Sequence, residues 1–260
     1  VFSSIFVIVT EILLITVGYM ELVPYSPSKL NEHSRLYLMT DGVKCMLVKS
    51  YHSAQAEAQK CREVSRLKHW KAAGFSVPEL YEFESTTLTT PHIAIEYIES
   101  ISAGELIQRV LDTGGNLSNI ITPILKLNAM RQRLALKNSD PELIHPDPHP
   151  YNFLMHDEGI SMVDFANPTK ASSIETLIVS EVERFSLSFL RIVGSRYVDE
   201  YVGWLVAAYS DDQWVLEALA SMHRKCLLVR LFKRMAHQIR GKRSYRILLN
   251  ASLNGQLKLC

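Results

Sequence analysis

Pro146, Pro148 and Pro150 alternate through the segment His145-Pro146-Asp147-Pro148-His149-Pro150-Tyr151-Asn152. Proline lacks a backbone donor and fixes φ, so no helix can run through these residues. The segment must be a loop. Short apolar runs follow at Phe153–Met155 and Ile160–Val163, joined by the turn residues Asp157-Glu158-Gly159. The loop therefore leads into a small pair of strands, and the second strand ends at Asp164-Phe165.

Asp147, Asn152 and Asp164 are the polar residues this frame displays. Phosphoryl transfer needs a group that orients an acceptor hydroxyl and takes its proton, and cations that neutralise the triphosphate. Asp147 suits the first task. Asn152 offers a side-chain oxygen and Asp164 an anionic one, both magnesium-type ligands. An Asp or Asn beside proline is by itself an ordinary turn former. The joint spacing predicts a phosphotransferase using ATP and Mg2+. His145 and His149 are four apart, but the prolines prevent the helix that would bring both imidazoles to one metal. His145 is expected to brace the loop by hydrogen bonds, and His149 either faces the acceptor as a second catalytic group or packs.

Upstream, Lys49 ends the apolar strand Cys45-Met46-Leu47-Val48. An isolated lysine there would be an edge residue whose stem covers apolar surface. A helical pattern follows from about Ser53 to Ala73, with Val64, Leu67 and Lys71 near one direction, Cys61 and Trp70 flanking them, and Gly74 as its stop. Glu63 sits at the border of that arc. An ion pair from Lys49 to Glu63 would hold the ammonium against the α- and β-phosphates; Glu57 is the rival partner. The strand Ile93–Ile98 reads as a link between two lobes, with backbone groups of Glu96 and Ile98 available to an adenine edge. A plain core strand that turns toward solvent has the same pattern.

The remaining elements fall in order. Pro24 to Asn31 reads as a loop, and Leu36–Met39 and Val43–Lys49 as strands joined at Asp41-Gly42. Another strand is expected near Leu80–Phe83, and helices at about 103–111, 119–136, 173–193, 198–209, 214–220 and 224–239. Strands first and helices afterwards predict an α+β, two-lobed fold with a small, mainly β N-lobe and a mainly helical C-lobe. The expected division is a hydrophobic segment at 1–19, an N-lobe at 20–98 and a C-lobe at 99–260.

Charge is unevenly spread. Residues 221–260 hold ten Lys or Arg and no Asp or Glu, leaving 18 basic against 27 acidic residues in the first 220. That region either docks on an anionic membrane surface or packs its apolar side and leaves its charges in water. Little aromatic interleaving argues against nucleic acid. The apolar run 1–19, with Glu11 in its middle, is open to three readings: a membrane segment, a buried strand or helix, and an extension ahead of Met20. Cys45, Cys61, Cys226 and Cys260 show no metal-type spacing and read as free thiols in a reducing compartment.

The Lys49 strand, the Glu63 helix leading to Gly74 and Val77-Pro78, the Ile95-Glu96-Tyr97-Ile98 link and the Asp147 and Asp164 segments together resemble the protein kinase-like superfamily, in its atypical small-molecule and bacterial branches. Within these the chain is most similar to the lipopolysaccharide core heptose kinases, whose catalytic loop typically reads Gly-Asp-Pro-His-x-x-Asn-Phe. The resemblance implies transfer of the ATP γ-phosphate to a heptose hydroxyl of the lipopolysaccharide inner core, at the cytoplasmic face of the inner membrane. It makes Asp147 the base, Asn152 and Asp164 the magnesium ligands, Lys49 the phosphate-binding lysine and Glu63 its partner. The chain departs from the pattern in three places. Pro146 stands where glycine is usual and stiffens the loop; Ala166 follows Asp164-Phe165 where many kinases have glycine; and no glycine lies between Met20 and Ser34, so phosphate contacts there would fall to Ser26 or Ser28. Kinases acting on aminoglycosides, choline-like molecules or proteins remain alternatives, as does a nucleotide-binding scaffold without transfer.

Overall fold

The computed structural model describes residues 22–25, 34–40, 45–85, 87–221, 249 and 251–254. The hydrophobic segment 1–19, Ser26 and Ser28, the Asp41-Gly42 turn, the expected helix at 224–239, and Cys226 and Cys260 lie outside the described residues. The architecture is α+β, with a β-rich N-terminal region and a mostly helical C-terminal region.

Five antiparallel strands make the first sheet: β1 (Val23–Tyr25), β2 (Ser34–Thr40), β3 (Cys45–Tyr51), β4 (Leu80–Tyr81) and β5 (His92–Glu96), in the spatial order β1-β2-β3-β5-β4. β3 lies at the centre, with Lys49 opposite Leu36 on one side and Ile93 on the other. Helix α1 (Ala56–Ala72) crosses from β3 toward β4. A three-stranded sheet, β6 (Ile101–Ser102), β7 (Phe153–His156) and β8 (Gly159–Met162), carries the loop expected from the prolines. Helices α2 (Ala103–Thr113), α3 (Ser118–Asn138), α4 (Ile174–Val193), α5 (Val198–Ala208) and α6 (Gln213–Ser221) follow among the described residues.

The helix boundaries follow local chemistry. Ser102 caps α2 by accepting from the Glu105 N–H, while the Glu105 carboxylate accepts from the Ser102 N–H, a reciprocal capping box. Gly74 ends α1 at φ +87°, where a Cβ would be strained, and donates to Lys71 O at 3.0 Å.

Two readings need correction. Val23–Tyr25 is a strand rather than the start of a loop; Pro24 is tolerated because β1 is the edge of its sheet. The inward face of α1 is Glu63, Arg66, Leu67 and Trp70, with Cys61 and Lys71 exposed and Val64 half-buried. The apolar periodicity pointed slightly off this face because two of its four buried residues are charged. Trp70 shows why the helix is seated as it is. Its ring is fully buried against Phe75, Phe165 and His145, and its Nε1–H donates to Glu142 O at 2.7 Å. One aromatic side chain thus joins α1 to the loop and to the residue after Asp164.

Candidate active site

Lys49 is 7% exposed, and its ammonium is held by carboxylates from two distant parts of the chain. Its Nζ donates to Glu63 Oε1 and Oε2 at 3.0 and 2.8 Å, and to Asp164 Oδ1 at 2.8 Å. Of the two rivals, Glu63 is the partner; Glu57 is exposed in the first turn of α1. Burial alone would pull the Lys49 pKa down, but Asp164 and Glu63 together outweigh it and raise it, so the lysine is firmly cationic. Tyr51, two residues along β3, donates to Glu63 Oε2 at 2.6 Å; burial and then the Glu63 charge push its phenol upward, so it remains a donor. Asp164 has φ +70°, a left-handed conformation that Asp tolerates better than most residues. Lys49 holds its carboxyl below the ordinary range, against the opposing effect of burial.

The loop is braced from beneath. His145 is fully buried; its N–H donates to Glu181 Oε1 at 2.9 Å, its Nε2 lies 3.1 Å from Val163 O, and its Nδ1 accepts from the Asp147 N–H at 3.1 Å. Glu181 on α4 in turn takes Arg131 Nη2 at 2.6 Å and Gln132 Nε2 at 2.7 Å. A buried carboxylate is tolerable when its oxygens are matched in this way. Burial, reinforced by the Arg131 charge, lowers the His145 pKa to about 3, so the ring is neutral.

On this support Asp147 is half-buried. Burial and the Asp164 charge push its carboxyl upward, and Arg184 pulls it the other way. Asn152 Nδ2 donates to Asp147 O at 2.9 Å, which leaves Oδ1 available as an acceptor. His149 accepts from the Tyr151 N–H through Nδ1 at 3.4 Å, and its ring lies 5.3 Å from that of Tyr151.

Lys49, Glu63, Asn152 and Asp164 all line one cleft of about 260 Å³. Its other wall includes Tyr25, Leu36, Leu47, Glu96, Tyr97, Ile98, Leu154 and Val163, an apolar surround of the kind that accepts a flat ring. The Glu96 N–H is already donated to Glu79 O at 2.9 Å, so of its backbone groups only the carbonyl can serve an adenine edge. Asp147 and His149 lie beside this cleft and do not line it. Among the described residues no group of three or more His, Cys, Asp or Glu forms a metal cage. A cation here would take Asp164 and Asn152 Oδ1 and draw its other oxygens from phosphates and water, a donor set that suits Mg2+.

Arg66 and Arg62 are parts of the site that the sequence did not disclose. From α1, Arg66 donates to Phe165 O at 2.9 Å, Asn167 O at 2.5 Å and Thr169 Oγ1 at 2.5 Å, and Arg62 donates to Ala166 O at 2.9 Å. The segment after Asp164 is thereby clasped to the helix that carries Glu63. Charged residues on a helix ordinarily read as its solvent face, and only the three-residue offset of Arg66 from Glu63 hinted otherwise.

The sequence profile of the RIO domain matches residues 39–196, a span containing Lys49, Glu63, Asp147, Asn152 and Asp164. The chain belongs to the RIO-domain family. Its protein-kinase-like fold follows from that membership. Two of the solved structures that resemble this RIO-domain chain illustrate the likeness. A WaaP structure, described as in complex with acyl carrier protein, shares 13% identity over 90% of this chain and 89% of that one, with a TM-score of 0.48. The kinase domain of Mycobacterium tuberculosis PknI, as a cysteine variant, shares 12% identity over 67% and 74%, with a TM-score of 0.43. No curated protein matches the chain.

Proposed function

We propose that this RIO-domain chain is an ATP- and Mg2+-dependent phosphotransferase that moves the γ-phosphate to a sugar hydroxyl, with a heptose of the lipopolysaccharide inner core as its acceptor. The observation that carries the reading is the seating of Lys49 between Glu63 and Asp164 in a cleft that Asn152 also lines. In this reading Lys49 takes the α- and β-phosphates, Asn152 and Asp164 hold the magnesium, and the cleft wall at Glu96 and Ile98 takes the adenine. Asp147 orients the acceptor hydroxyl and receives its proton, with His149 beside it. The heptose acceptor rests on the Asp147-Pro148-His149 and Ile95-Glu96-Tyr97-Ile98 patterns.

The basic stretch 221–260 is proposed to hold the protein against anionic lipid at the inner face of the bacterial inner membrane. No helix among the described residues is long and apolar enough to cross a membrane. The test is transfer from γ-labelled ATP to an acceptor panel that includes dephosphorylated lipopolysaccharide core. Labelled core carrying one phosphate is the expected product. ATP binding without transfer to any acceptor would instead favour a nucleotide-binding scaffold, a reading that the direct Lys49–Asp164 contact also accommodates.

A further inference from the structure

Asp147 sits outside the cleft wall that Lys49, Asn152 and Asp164 line, so an acceptor reaching it meets groups other than those that hold a nucleotide. A cationic group that reaches the same loop from α4 is Arg184. Its Nη1 donates to Pro146 O at 2.6 Å, at the peptide that joins Pro146 to Asp147, and its Nε donates to Ser180 O at 3.3 Å. Arg184 is exposed, and among the described residues no carboxylate forms an ion pair with it. Of the carboxylates on α4, Glu181 is turned inward to Arg131.

A guanidinium has five N–H donors in a planar fork, and the two backbone contacts use only part of that set. They fix the fork beside the base before any ligand arrives, which lowers the entropic cost of binding. The remaining donors match the paired oxygens of a phosphate or carboxylate. We propose that Arg184 selects an acceptor bearing an oxyanion close to the hydroxyl that is phosphorylated. This deepens the phosphotransferase reading and rests on it. A neutral acceptor gains nothing from Arg184, and a cationic one is repelled.

The test is a calorimetric titration of a matched pair, glycerol and glycerol 3-phosphate, into the full chain saturated with magnesium and a non-hydrolysable ATP analogue. The wild type is expected to bind the phosphorylated probe at least about tenfold more tightly. R184A loses that preference and R184K, which keeps the charge without the fork, retains only part of it, while both take up the ATP analogue with affinity unchanged within about twofold, since Arg184 is not part of the cleft wall. Retention in R184K separates recognition of charge from bracing of the loop. Where R184A loses the analogue, R184Q replaces it as the neutral variant. Equal affinity of the wild type for the two probes overturns the proposal, as does a preference that survives in the neutral variant. Failure of the wild type to bind the analogue overturns the phosphotransferase reading itself.

Discussion

At the scale of single residues, Asp147 and His145 separate chemistry from stability although they are two positions apart. Asp147 shares no ion pair among the described residues and is half-buried, so D147N changes the proposed base with little change in packing. Transfer is expected to fall by at least about 10²-fold, the lower range for loss of a general base, with melting temperature and ATP affinity retained. Undiminished transfer by D147N in the labelled-ATP assay would remove Asp147 from that role. His145 is neutral and buried, with a folded pKa of about 3 against about 6.5 in an unfolded chain. The unfolded state therefore binds the extra proton first as pH falls, and stability held above pH ~6.5 is lost progressively down to pH ~3. Between pH 6.5 and 5 this one residue removes about 2 kcal/mol. Urea unfolding at the two pH values checks it, and H145N, which can still accept from the Asp147 N–H, is expected to show a correspondingly smaller loss.

At the scale of elements, α1 is more than a carrier of Glu63. Arg66 is 2% exposed and spans three acceptors in the segment after Asp164, and its carboxylate partner Glu142 is half-exposed, so the backbone bonds dominate its contribution. R66M leaves Phe165 O, Asn167 O and Thr169 Oγ1 without this donor and is expected to cost about 3 kcal/mol. Amide exchange at residues 165–169 will accelerate in the same variant, and unchanged exchange would show that Arg66 does not hold the segment. This element also shows where the sequence was readable. Lys49 and Glu63 were found because a lysine on an apolar strand and a glutamate on the next helix have few joint uses. Arg66, Arg131 and Glu181 were not, because a buried charge looks like a solvated one until its partner from a distant element is known. β1 escaped for a different reason: Pro24 and the polar residues after it have the composition of a loop, and only pairing with β2 makes Val23–Tyr25 a strand. The proline-rich loop and the flanking strands were legible because proline acts locally and needs no tertiary partner.

At the scale of the molecule, a β-rich region and a helical region share one core. The residues Trp70, Phe153 and Phe165 belong to a single buried cluster, so a ligand that spans Lys49 and Asp164 bears on both regions at once. The basic stretch 221–260 gives the whole chain a charged end, and co-sedimentation with phosphatidylglycerol vesicles is expected to exceed that with phosphatidylcholine vesicles and to fall as salt rises. Binding that is indifferent to lipid charge would contradict that placement. In the proposed function the cleft lined by Lys49 and Asp164 is a magnesium-nucleotide site, which calorimetric titration of ATP into the wild type and D164A probes without any acceptor. One ATP per chain is expected in the presence of Mg2+, with affinity lowered at least about tenfold by chelation and by D164A, the variant that removes the proposed anionic ligand. No binding by the folded wild type, or binding indifferent both to magnesium and to D164A, would contradict it.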